Sequence, residues 1–380
     1  MNGLIVGGGI GGVTAAIALA RAGHRVVLVE KLERFSPVGA GIVLAPNATK
    51  ILAALGVDLS SRGYALPFLN ILRADGTVLQ QLNAQRLSVK YGPTWALTRP
   101  ALHDALLGAL PSEVEVILGR TVLAVKEVGD AVEVQLEAEP NVRRFDFVVG
   151  ADGLHSKVRE RLLGPQPLRY SGVTCWRGVA KNPGFTGAIE AWGRGARIGA
   201  VPLREERVYY YLVKTAHRRA PPLTFPEGFQ DTFGNFRGGV EKLFEVLQEA
   251  PSLHHDLEEL ESPVWGRSQV FLLGDAAHAM TPNQGQGAAM AIEDALALAV
   301  ALRAGVRGAL ERYVECRHMR VRRMQLDSRR IGSISHWRNP LACSVRDNLL
   351  RLLPASLGEA QYHRIVEPGL ALLQASQRPE

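Results

Sequence analysis

Cysteine is scarce in this chain: Cys175, Cys316 and Cys343 are the only three among 380 residues. An odd number with no C-x-x-C spacing excludes a disulfide framework and a cluster of metal-binding thiolates, and it fits a reducing cytoplasm. Long apolar runs are missing as well. Crossing a bilayer takes roughly 18 to 20 unbroken apolar residues, and the best stretch, Ala295 to Leu302, is flanked by Asp294 and Arg303. No integral membrane segment is therefore expected. The amino-terminal residues carry no basic n-region and are too glycine-rich for an h-region, so they do not read as a signal peptide. There is no internal repeat, no low-complexity linker and no serine-centred nucleophile elbow. What remains is a chain 47% hydrophobic, long enough for two or three domains with a large core.

The net charge is +7, and much of the basic excess sits between Arg303 and Arg330, including Arg312, Arg317, Arg320, Arg322, Arg323 and Arg329. Val306, Leu310, Tyr313, Val314, Met324 and Ile331 are spaced through it in a loosely helical way. The plain reading is a solvated helix face, able to steer anions. No stacking aromatics accompany the charge, so no nucleic-acid partner is expected.

Two glycine-rich turns stand out. Leu4-Ile5-Val6 runs into Gly7-Gly8-Gly9-Ile10-Gly11-Gly12 and then a helical pattern from Val13 to Ala22. Gly7, Gly9 and Gly12 fill the G-x-G-x-x-G fingerprint, in which the glycines permit a tight turn, pyrophosphate approach and helix–strand packing. Arg25 to Glu30 reads as the next strand, and Glu30 stands 18 residues beyond Gly12, where a ribose-binding acid belongs. An acid there repels a ribose 2′-phosphate. Near the other end, strand Val270 to Leu273 leads into Gly274-Asp275, then Pro282, then Gly285-Gln286-Gly287 opening a helix. A carboxylate beside a helix N-terminus suits a ligand with hydroxyls and developing negative charge. Two such turns suggest one long dinucleotide lying across both.

Between them, Lys50 to Leu55 looks helical. Glu113 to Leu118, Thr121 to Glu127 and Ala131 to Glu137 alternate as strands, with a Gly129-Asp130 turn, and Arg143 to Gly150 reads as one further strand. From Tyr170 to Val264 the texture becomes short strands rich in Trp, Tyr, Gly and Pro: Thr174 to Val179, Ala188 to Trp192, Arg197 to Val201 and Arg207 to Val213. This is a β-rich insertion between two parts of a nucleotide domain.

Gly7 to Gly12 with Glu30, then Val148-Val149-Gly150-Ala151-Asp152-Gly153 through Arg159, then Gly274-Asp275 with Pro282 and Gly285-Gln286-Gly287, resemble the three signatures of the class A flavoprotein monooxygenases. These are the para-hydroxybenzoate, salicylate and urate hydroxylase type. Leu97-Thr98-Arg99-Pro100 stands between the signatures, and the resemblance runs from Gly3 to about Arg330. It implies an α/β fold: a Rossmann-like FAD-binding domain of the glutathione-reductase type (1–65, 98–168 and 268–330), an inserted β-sheet substrate domain (66–97 and 169–267) and C-terminal helices (331–380). The role of the last fifty residues is not legible.

By the same resemblance, Gly9, Gly11 and Gly12 should meet the FAD pyrophosphate, and Glu30 with Lys31 the adenosine ribose. Val122 matches a position whose backbone touches adenine, and Arg99 should neutralise phosphate or contact the ribityl chain. Asp275 should bind a ribitol or pyrophosphate-side hydroxyl. Gly285, Gly287 and Ala288 should face the flavin N1–C2=O edge, while Val43 in the Gly39 to Asn47 loop and Pro282 should line the ring. Asp152 has two readings, a cofactor and NAD(P)H contact or a cap on a helix beginning near His155. His278 should support its turn, and His254-His255 should not bind metal. Many relatives carry Asn where this chain has Ala289, which predicts looser FAD.

The implied reaction consumes NADH or NADPH and O2, and hydroxylates a small aromatic or heteroaromatic substrate through a C4a-hydroperoxyflavin. The reductant should bind transiently, because no second fingerprint is present. Anchored on Pro202, the urate-hydroxylase branch places its arginine and tyrosine at Arg197 and Tyr209; with Pro282 these are the candidate catalytic residues. They bind an anionic or phenolic substrate, or they are ordinary strand residues. An FAD-dependent dehydrogenase that ignores O2, and an epoxidase or drug-modifying monooxygenase, remain open. So do a monomer and a homodimer.

Overall fold

The computed structural model describes residues 1–35, 39–247 and 253–378; part of the expected insertion (248–252) and the last two residues lie outside them. A parallel sheet is built from the apolar runs. Asn2–Val6 lies between Phe147–Gly150 and Arg25–Glu30, followed outward by Val270–Leu272 on one side and Glu115–Leu118 on the other. Gly266–Arg267 adds a short antiparallel edge. These strands are covered on both faces, so their sequences are continuous rather than alternating apolar. The helices Ile10–Arg21 and Gly287–Ala301 pack against each other, and their alanines and glycines allow close approach: a Cβ on Gly11 would press on Leu273 and Ala291.

One expected strand is two. Arg143–Phe145 pairs antiparallel with Ala131–Leu136, which pairs in turn with Val122–Val128, whereas Phe147–Gly150 enters the parallel sheet. The break falls at Asp146, whose carboxylate accepts the Asn2 N–H at 2.6 Å. The helix expected over Lys50 to Leu55 begins earlier, at Pro46, and runs to Ala54, with proline in its first turn.

The inserted sheet has seven strands in the order Leu253–Leu260, Leu168–Lys181, Arg207–Thr215, Ala196–Leu203, Ala188–Trp192, Leu69–Arg73, Val78–Leu82. Side chains alternate across it. Trp176, Ile198, Val208, Tyr210 and Leu212 face a core closed by Phe229, Phe233 and Phe236. The register sets Arg177, Arg197, Tyr209, Tyr211 and Glu190 on the opposite face, toward the small sheet of Gly41–Leu44, Trp95–Thr98 and Tyr64–Ala65. There a Cβ on Gly41 would run into the Tyr209 ring.

Three helices close the chain: Ala309–Ser335, Pro340–Leu352 and Ala355–Ser376. The first crosses residue 330 without a break, so the expected boundary falls inside a helix. Three of its arginines correct the solvated-face reading, which Arg323 and Arg330 keep. Arg317 is wholly buried against Glu293 and Asp294, Arg320 reaches Glu293, and Arg329 reaches Glu259. The matching carboxylates come from elements distant in sequence, so helical periodicity could not reveal the pairing.

Candidate active site

The first glycine turn has the geometry of a pyrophosphate cradle. Gly7 holds φ +108°, a conformation that favours glycine, and a Cβ on Gly12 would run into the Gly7 carbonyl oxygen. Gly9 is exposed, and a Cβ there would meet no atom within 4 Å. Gly9 is also the N-cap of Ile10–Arg21, and no side chain caps it, so backbone donors face open space. Glu30 braces the turn: its Oε2 accepts the Gly8 N–H at 2.7 Å and its Oε1 the Leu32 N–H at 3.0 Å. Lys31 is exposed beside it, and Val122 is buried at the start of its strand. Gly11 differs from its neighbours in packing between helices rather than opening to the cleft.

The second turn is held from behind. Gly274 adopts φ +60°, and its N–H donates to Asp294 Oδ2 at 3.1 Å. The same carboxylate contacts His278 Nε2, and its other oxygen accepts Arg317 Nε at 2.7 Å. Glu293 accepts from Arg317, Arg320 and Asn47, and Asn47 also donates to Gln286 at 3.0 Å. Burial works to raise the pKa of both carboxyls. Contact with His278 and Arg317 outweighs it for Asp294, and Arg317 and Arg320 outweigh it for Glu293, so both stay below the ordinary range. This buried network leaves Asp275 exposed at the turn. Helix Gly287–Ala301 follows, with no side-chain cap and with Gly287 and Ala288 half-exposed. Gly285 and Pro282 are exposed just before it, whereas Ala289 is buried in the core. His278 has the supporting place expected of it.

Arg99 lies within range of the Asp275 charge and against the loop that contains Val43: a Cβ on Gly39 would strike its side chain. Its Nε has no partner among the described residues. Burial and the neighbouring Arg177 lower its pKa, and Asp275 and Tyr209 oppose them. Two adjacent guanidinium groups beside an exposed carboxylate suit a ligand that brings its own phosphate and hydroxyls. The open space over Gly9, the uncapped helix and the unpartnered Arg99 Nε therefore fit FAD. Asp152 has the capping geometry of one of its two readings: it accepts from Ser156 Oγ and from the N–H groups of Lys157 and Val158 at 2.7 and 3.1 Å, at the start of helix Lys157–Leu163.

Arg197 and Tyr209 share one sheet face, as Tyr211 does, while Tyr210 points into the opposite core. Arg197 is nearly buried and all three of its nitrogens are engaged. Nη1 donates to Glu190 at 3.1 Å, Nη2 to Asn283 at 2.7 Å and Nε to His336 at 2.9 Å. Asn283 adjoins Pro282, so Arg197 ties the substrate sheet to the flavin loop. Glu190 also accepts from Trp192 Nε1 at 2.6 Å and from the Tyr211 hydroxyl. Burial and Glu190 push the Tyr211 pKa well up, while burial and Arg197 push His336 down to about 3. Glu190, Trp192, Tyr211 and His336 were missed in the sequence, whereas Asn283 lies in the turn Thr281-Pro282-Asn283 expected to line the flavin ring. Strand alternation starting from Tyr209 would have found Tyr211; Glu190 and Trp192 lie on another strand and His336 just past helix Ala309–Ser335, and none of these had a signal. His254 stacks on Trp176 while His255 meets Arg177, so the two diverge.

Residues 1–327 match the family model described as FAD binding domain. The aurachin C monooxygenase/isomerase of Stigmatella aurantiaca is 34% identical over 95% of this chain and 96% of its own. The 2-heptyl-3-hydroxy-4(1H)-quinolone synthase of Pseudomonas aeruginosa is 34% identical over 96% of this chain and 97% of its own. Among solved structures, Klebsiella pneumoniae HpxO complexed with FAD and uric acid superposes with a TM-score of 0.87 at 26% identity, covering 98% of this chain and 97% of that one. With the cradle, the two turns and the cation pair in place, the chain belongs to the FAD-binding-domain family and is a class A, FAD-dependent monooxygenase of aromatic substrates.

Proposed function

We propose that the substrate is a neutral bicyclic heteroaromatic of the 4-quinolone type, bound against the sheet face that carries Glu190, Trp192, Tyr209 and Tyr211. The observation that carries this reading is the Glu190–Arg197 pair. A receptor for an aromatic carboxylate needs an unmatched cation at the ring. Here the guanidinium nearest the flavin loop already has its counter-ion, and a second carboxylate would be repelled by Glu190. A ring presenting N–H and C=O meets no such charge conflict. The name of the 2-heptyl-3-hydroxy-4(1H)-quinolone synthase points the same way.

Bound FAD, reduced by NADH or NADPH, supplies the activated oxygen. The protein's own part is to hold and polarise the substrate. Glu190 can accept a ring N–H or O–H proton, which raises electron density at the neighbouring carbon that receives oxygen. Tyr209, Tyr211 and Trp192 provide flat apolar surface that excludes water and fixes the ring plane. Arg197 keeps Glu190 and Asn283 in place. Arg99 and Arg177 give a transient anionic reductant a cationic approach. Placement in the cytoplasm is supported by three free cysteines.

The test is a panel of 2-alkyl-4-quinolones, hydroxybenzoates and urate, scored by substrate-dependent NAD(P)H oxidation and by mass spectrometry for the gain of one oxygen. Quinolones should accelerate oxidation and gain oxygen. Turnover confined to the carboxylated aromatics would overturn the reading.

A further inference from the structure

Helix Pro340–Leu352 has two unlike faces. Its inner face closes the substrate side: Arg346 stands 5.5 Å over the Trp192 ring, pairs with Asp347 at 2.8 Å and donates to the carbonyls of Ile334 and Ser335, next to His336. Its outer face is apolar and uncovered. Leu341 and Leu352 are 78% and 80% exposed, with Val345 and Leu349 between them on the same arc. Trp337 precedes the helix, and Leu353 and Leu357 follow it, also exposed. A contiguous apolar patch of this kind marks a surface that is covered in use.

The charges around it decide what covers it. From residue 334 to 357 the exposed charged residues are Arg338 and Arg351; the single acid of the segment, Asp347, is buried against Arg346. A second copy of the chain docking by this helix would set Arg338 and Arg351 against their own copies, with no exposed carboxylate of the segment to meet them. Anionic headgroups match both features, accepting leucines below and arginines at the rim. No helix among the described residues is long and apolar enough to cross a membrane, so the helix would lie in the interface plane.

We propose that Pro340–Leu352, with Trp337, Leu353 and Leu357, docks on an anionic lipid surface. The wall of the substrate site is then the same helix that touches lipid. An alkylated heteroaromatic dissolved in the bilayer would have a short path to Trp192 and Glu190. This last step rests on the quinolone reading, whereas the docking itself does not.

The experiment sediments purified FAD-loaded protein with phosphatidylcholine vesicles and with phosphatidylcholine–phosphatidylglycerol vesicles, without substrate. Protein should pellet with the anionic vesicles and be released by salt. L341Q/L349Q/L352Q should lower the partition coefficient by about tenfold or more. R338Q/R351Q should weaken binding by roughly fivefold per arginine and abolish the preference for the anionic lipid. Analytical ultracentrifugation and the flavin spectrum establish that each variant is folded; should the leucine variant misfold, the arginine variant and the salt series still decide. Wild-type protein that stays in the supernatant with both vesicles would overturn the proposal. So would a wild-type dimer that L341Q/L349Q/L352Q converts to monomer with lipid partition unchanged. Failure of quinolones to turn over would leave the sedimentation result untouched.

Discussion

The Oδ2 of Asp294 accepts the backbone N–H of Gly274 at 3.1 Å, so a buried carboxylate on one helix fixes the turn that presents Asp275. Asp294 is held in turn by Arg317 from the long C-terminal helix. The flavin end of the site thus depends on a residue outside every glycine motif.

Removing Arg317 leaves Glu293 and Asp294 buried with less compensation. Breaking a buried pair in this way costs about 3–5 kcal/mol. R317M should lower the free energy of unfolding by that order and release FAD. Urea unfolding and the ratio of flavin to protein absorbance check both.

Two glycines of one motif should behave differently. G12A drives a methyl group into the Gly7 carbonyl and should yield little folded protein. At Gly9 the added methyl meets open space, so G9A should fold with unchanged thermal stability yet bind FAD more weakly, because the methyl occupies the place of the pyrophosphate. Circular dichroism and a fluorescence titration with FAD separate the two outcomes.

Glu190 is the counter-ion of Arg197. E190Q should lower kcat/KM on a neutral heteroaromatic by about tenfold to a hundredfold through loss of proton acceptance, while improving binding of carboxylated aromatics to the freed guanidinium. Steady-state kinetics on both substrate types provides the check. Equal losses on both would remove Glu190 from the role assigned to it.

His336 sets a pH window. Burial first, and Arg197 second, depress its folded pKa to about 3 from 6.5. Between those values the unfolded chain binds the proton that the folded chain refuses, so this contribution to stability is complete above 6.5 and is lost as pH falls toward 3. His255, depressed to about 4 by burial and Arg177, acts in the same direction. Thermal melts should therefore fall steadily below pH 6.5, and H336Q should flatten part of that slope.

The cofactor half of the protein was legible because it rests on local geometry. A glycine with φ +108°, a third glycine with no room for a side chain and a carboxylate beside a helix start each demand a residue type at a spacing, and Gly7, Gly12 and Asp275 meet that demand. Strand alternation likewise separates Tyr209 and Tyr211 from Tyr210. Tertiary structure decided what those residues do. Arg197 reads as a free cation until Glu190, Asn283 and His336 converge on it from three other segments. Arg317 reads as a surface charge until Glu293 and Asp294 face it. Charge pairing and burial are set by which distant elements meet, and period and spacing along one chain carry no information about that meeting.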